Sequence, residues 1–90
     1  MKALLLHPDD NVATAVSAVE PGERISVDAS EITILEPIPF GHKLALRDIP
    51  RGEAVIKYGE TIGKATAAIK KGAHVHVHNV EGLRGRGDRP

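Results

Sequence analysis

The chain has 90 residues, and its twelve basic and twelve acidic side chains cancel at neutral pH. A domain of this size buries only a modest core and leans on a partner, so an enzyme complete in itself is not expected. Charge balance excludes a general nucleic-acid or membrane-surface role, and the absence of cysteine excludes disulfides and thiolate metal sites.

From the amino terminus, residues 2–7 predict a first strand. Its apolar run stops at His7-Pro8-Asp9-Asp10, too short for a signal sequence or a membrane span, and the chain is expected in the cytoplasm. Asp10 or Asn11 could cap a short helix through about Ala18, because Val12, Ala15, Val16 and Val19 share one helical stripe. Pro21-Gly22 would end it. Strands are then predicted at 24–27, 31–36, 43–46 and 54–57, with a turn at Asp48-Ile49-Pro50-Arg51-Gly52. Residues 62–69 read as a strand or a helical turn, and Gly63 weighs against the helix. The sum is a mainly β domain over residues 1–82 with one or two short helices, followed by a flexible Arg/Gly-rich tail at 83–90 that buries no apolar face. Arg86-Gly87-Asp88 within that tail matches an adhesion tripeptide, but no export signal accompanies it.

A weak repeat runs through Val19-Glu20-Pro21-Gly22, Ile49-Pro50-Arg51-Gly52 and Ile69-Lys70-Lys71-Gly72. In each copy the glycine can take the positive φ of a tight turn that starts a strand. The spacing is too irregular for a solenoid, and recurrent turns of a β-rich domain account for it.

The chemically informative stretch is His74-Val75-His76-Val77-His78-Asn79. On a regular strand it would line three imidazoles on one face, at roughly 6.6 Å intervals, with His74 and His78 about 13 Å apart. Two rings could then converge on one metal ion or one polar ligand, making a working pair rather than a triad unless a bulge intervenes. A solvated strand face is the plain alternative. His42, in Gly41-His42-Lys43 at a turn leading into a strand, is the best third ligand or second acid/base group, and Lys43 could attract a carboxylate. His7 before Pro8 has a weaker claim. Only Phe40 and Tyr58 are aromatic, which leaves no stacking platform for nucleic acid. Tyr58-Gly59-Glu60-Thr61-Ile62-Gly63 lacks phosphate-loop spacing and reads as structural. No nucleophile signature is present, so any chemistry is metal-assisted or acid/base.

Taken together, His7-Pro8-Asp9-Asp10-Asn11-Val12-Ala13, Ile38-Pro39-Phe40-Gly41-His42-Lys43-Leu44-Ala45-Leu46, Ile56-Lys57-Tyr58-Gly59-Glu60-Thr61-Ile62-Gly63 and the histidine row resemble the amino-terminal SAF domain of the altronate and galactarate dehydratase family. The resemblance covers nearly the whole chain and implies a β-clip fold, carried either as a domain fused to a large dehydratase body or as a separate small subunit. The implied reaction is loss of water from a sugar acid to give a 2-keto-3-deoxy acid, assisted by a divalent metal, iron(II) in this family. The implied catalytic residues are His42 and His76, and the implied metal ligands His74 and His76. Lys43, His78, Asn79, Arg84 and Arg86 would meet substrate. A large dehydratase subunit or domain is the implied partner, with a homo-oligomer left open, and the isolated chain is expected to be inactive.

Three alternatives stand beside this reading: the small subunit of a sulfolactate sulfo-lyase, a non-catalytic carbohydrate-binding module, and a histidine-rich metal buffer.

Overall fold

The computed structural model describes residues 1–82. Nine strands follow one another: β1 (Ala3–Leu4), β2 (Val12–Ala15), β3 (Arg24–Val27), β4 (Ser30–Thr33), β5 (Lys43–Ala45), β6 (Ala54–Lys57), β7 (Glu60–Ala65), β8 (His74–Val75) and β9 (Val80–Gly82). They form a four-stranded antiparallel sheet in the order β1-β2-β5-β8, the hairpin β3-β4, and the three-stranded sheet β6-β7-β9. The mainly β expectation holds. Among the described residues there is no helix, so none is long and apolar enough to cross a membrane.

The helix expected after Asp10 is a strand, β2. Val12, Ala13 and Ala15 are 1%, 1% and 0% exposed, because β2 lies between two aliphatic clusters: Val12 packs with one, Ala13 and Ala15 with the other. A strand buried on both faces shows no alternation, and its apolar residues match a helical stripe by coincidence. The segment 62–69, left between strand and helical turn, is strand through Ala65.

The glycine repeat has a copy that the sequence reading missed, Ile38-Pro39-Phe40-Gly41. Gly22, Gly41, Gly52 and Gly72 all have φ between 83° and 90°. The apolar residues three positions before them pair as Val19↔Ile38 and Ile49↔Ile69. The recurrence reflects more than common turns, since it divides the fold into two related halves. Val19 and Ile49, Gly22 and Gly52, and the left-handed turn residues Asp28 and Tyr58 are separated by one constant interval. A bulge opposite Val55 and Ile56 leaves Ile62 of β7 without a register partner, so Ile38/Ile69 and Gly41/Gly72 lie one residue further apart. The halves meet where β2 pairs with β5 (Ala13↔Leu44, Thr14↔Lys43), and the two aliphatic clusters divide the same way except that Leu44 of β5 joins the first and Val12 of β2 the second.

Candidate functional site

The turn at Gly41 delivers His42 to the start of β5. Its carbonyl accepts the Ala15 N–H at 2.8 Å, and the Gly41 N–H donates to the Ala15 carbonyl at 2.8 Å, which ties the turn to β2. β8 pairs with β5 through Leu44↔His74 and Lys43↔Val75, so His74 comes alongside His42. The strand then ends at Val75. The alternating row expected from His74 to His78 is therefore not a strand, and His76 to Asn79 form a turn in which the Asn79 N–H donates to the His76 carbonyl at 3.1 Å.

Strand pairing makes the site, because the β5/β8 register continues to set His76 opposite His42. His42 Nδ1 lies 2.8 Å from His74 Nε2 in a hydrogen bond whose donor depends on tautomer. The His42 and His76 rings stack with centroids 4.1 Å apart, and His42 and His74 at 5.0 Å. One nitrogen from each of His42, His74 and His76 lies within 4.8 Å of the other two. A pair was expected within the row and the structure assembles a triangle, because His42 adds the third corner. The His78 ring is 5.2 Å from that of His74, tilted by 37°, and stands outside the triangle. The 13 Å spacing of a regular strand does not apply once the chain turns at His76.

The electrostatics favour the neutral forms of His74 and His76. Burial, then the imidazoles of His42, His78 and His76, hold His74 below the ordinary histidine value, against the opposing pull of the Glu36 carboxylate. Loss of solvent, followed by His42, Lys43 and His78, lowers His76 in the same direction. Lys43 is held low by burial and by Lys57. Neutral imidazoles keep the lone pairs that metal ligation or proton abstraction requires. His76 Nδ1 is moreover a buried atom without a hydrogen-bond partner among the described residues, and such an orphan is costly unless something binds it. Imidazole bonds of about 2.0–2.1 Å place ligand nitrogens roughly 3.3 Å apart around a tetrahedral ion. The three imidazoles offer the donor set of a divalent transition metal, but to hold one ion the longest side would have to draw in and the 2.8 Å His42–His74 hydrogen bond would have to open.

Lys43, His76, Ile62, Val77, Val80 and Gly82 line a shallow depression of about 170 Å³ beside the rings. Phe40 and Val77, 71% and 82% exposed, sit on the two turns that carry His42 and His76. Asn79 lies in the His76 turn with its amide on main-chain groups. His7 is elsewhere, accepting the Asp9 N–H at 3.1 Å. Arg84 and Arg86 fall outside the described residues. Sequence reasoning missed Glu36, whose Oε2 accepts the His74 N–H at 3.0 Å; no local pattern marks a residue that acts across such a separation.

A family model of the altronate/galactarate dehydratase SAF domain matches residues 1–83. The chain belongs to this SAF-domain family. The SAF domain is 46% identical to the altronate dehydratase of Escherichia coli (strain K12) over 79 residues, which is 88% of this chain and 16% of that enzyme. It is 41% identical to the (2R)-sulfolactate sulfo-lyase subunit alpha of Chromohalobacter salexigens over 83 residues, covering 84% of this chain and 88% of that subunit. Galactarate dehydratase (L-threo-forming) of Escherichia coli (strain K12) is 40% identical over 72 residues, 78% of this chain and 13% of that enzyme. The SAF domain thus spans about a sixth of the length of the altronate dehydratase and most of the length of the sulfo-lyase subunit.

Proposed function

We propose that this SAF domain is the small component of a sugar-acid dehydratase, bringing its imidazoles to a site that a large dehydratase domain or subunit completes. The carrying observation is the convergence of His42, His74 and His76 within 4.8 Å, on turns whose apolar tips, Phe40 and Val77, stand in solvent. The lengths of the altronate and galactarate relatives support a large partner, since more than four-fifths of each lies beyond the matched segment.

In this reading His74 and His76 hold a divalent metal, iron(II) by the family resemblance. Bound there, the ion would supply Lewis-acid stabilisation for the charge that builds on the substrate carboxylate. Lys43 draws the carboxylate toward the depression beside His76. His42, hydrogen-bonded to His74 and stacked on His76, takes the proton from the carbon next to the carboxylate. The hydroxyl on the following carbon leaves as water, and the enol rearranges to the 2-keto-3-deoxy acid. His78, at the outer edge of the rings, meets the substrate hydroxyls, and the large component supplies the remaining groups.

Cobalt(II) titration of the full chain and its variants tests this assignment. His74→Ala and His76→Ala should each weaken binding at least about tenfold, by loss of a direct ligand. His42→Ala should retain the metal and abolish turnover when the chain is combined with a cognate large subunit. Loss of metal in His42→Ala would instead make it the third ligand, and wild-type protein that binds no cobalt would overturn the metal reading.

A sulfo-lyase small subunit is the second reading, favoured by the 41% identity that extends over 88% of such a subunit. Sulfite release from sulfolactate, with no keto acid formed from altronate or galactarate, would select it.

A further inference from the structure

Two side chains make three contacts to the backbone around the imidazoles. Glu36, from the loop between β4 and β5, reaches β8 and accepts the His74 N–H on Oε2 at 3.0 Å. Asn79 works from the other side: its Nδ2 donates to the His74 carbonyl at 2.9 Å, and its Oδ1 accepts the His76 N–H at 2.9 Å. The main-chain N–H of Asn79 also donates to the His76 carbonyl, so side chain and backbone close the same turn. Such asparagine bonds to nearby main chain stabilise turns at the expense of continued strand.

The register of β8 on β5, Leu44↔His74 and Lys43↔Val75, sets His76 opposite His42 if it continues. The strand ends at Val75, however, and the His74 N–H, the His74 carbonyl and the His76 N–H are met by Glu36 and Asn79 rather than by a further strand. We infer that Glu36 and Asn79 are positioning residues that set the backbone of His74 and His76 so that both rings converge on His42. Neither hydrogen-bonds an imidazole nitrogen; each acts on peptide groups. Asn79, expected from the family resemblance to meet substrate, shapes the turn.

This inference rests on the reading of the three rings as one working site, but its test requires no metal. Ring ¹⁵N–¹H spectra of the metal-free full chain report the 2.8 Å contact between His42 and His74. Glu36→Ala and Asn79→Ala should abolish the coupled ring signals and shift them toward those of a free imidazole, while amides of the β3-β4 hairpin stay in place. Glu36→Gln keeps a carbonyl acceptor for the His74 N–H and should preserve the wild-type pattern. If an alanine variant unfolds, Asn79→Asp against Glu36→Gln carries the same contrast, because aspartate retains the acceptor but loses the donor to the His74 carbonyl. Unchanged ring signals in folded alanine variants, or in Asn79→Asp, would overturn the inference, as would loss of the pattern in Glu36→Gln. Ring spectra that respond as expected in a chain that binds no cobalt would defeat the metal reading and leave this inference standing.

Discussion

At Gly72 the chain has no room for a methyl group. Its φ is +89°, and a Cβ there would collide with the Thr33 carbonyl oxygen; at Gly52, with φ +90°, the same Cβ would meet nothing within 4 Å. Left-handed strain for a non-glycine residue costs on the order of 1–2 kcal/mol, and the two positions share it. Gly72→Ala should therefore destabilise by more than Gly52→Ala, and by over about 2 kcal/mol in total, with the melting temperature lowered by roughly 10 °C. Thermal melts of the two variants measure the strain and the collision separately. The glycine spacing was visible in the sequence at three of the four turns. Ile38-Pro39-Phe40-Gly41 was read only as the approach to His42, although its apolar-to-glycine interval matches the others.

Asp10 and Asn11 show how an element's polar flank can mislead. Read as helix caps, they are side chains that bind another strand's backbone. Asp10 accepts the Tyr58 and Gly59 N–H groups at 3.0 and 2.8 Å, bracing the β6-β7 turn. Asn11 donates to the Ala54 carbonyl and accepts the Ile56 N–H, both at 2.8 Å, beside the bulge. Asn11→Ala would strand two peptide groups of β6 that the ladder does not serve there. Leaving them unsatisfied costs about 1–3 kcal/mol each when buried, so the urea midpoint should fall while β3-β4 keeps its pairing. A variant as stable as wild type would show that water replaces the amide at no cost. The residue types were legible as caps because a carboxylate or amide that serves a helix end serves a hairpin equally well; the object capped was not legible.

For the whole molecule, the packed imidazoles link stability to pH. His74 and His76 titrate below the unfolded value of 6.5, so the unfolded chain takes up protons first as the solution is acidified. Their contribution is fully present above pH 6.5 and is lost as the pH falls through the lower folded values. Denaturant midpoints should thus drop between pH 7.5 and pH 5, and His76→Gln should flatten that slope. An equal slope in wild type and variant would place the acid sensitivity elsewhere.

The sequence by itself determined the β-rich class, most of the strands and turns and the family, because turn φ, strand propensity and motif order are local properties of the chain. Tertiary structure alone decided that Val12–Ala15 is a central strand, what Asp10 and Asn11 hold, and that the histidines close into a triangle. Those outcomes depend on contacts between distant segments: His42 meets His74 across 32 positions of sequence and Glu36 meets His74 across 38, and only the pairing of β8 with β5 brings such residues within bonding distance.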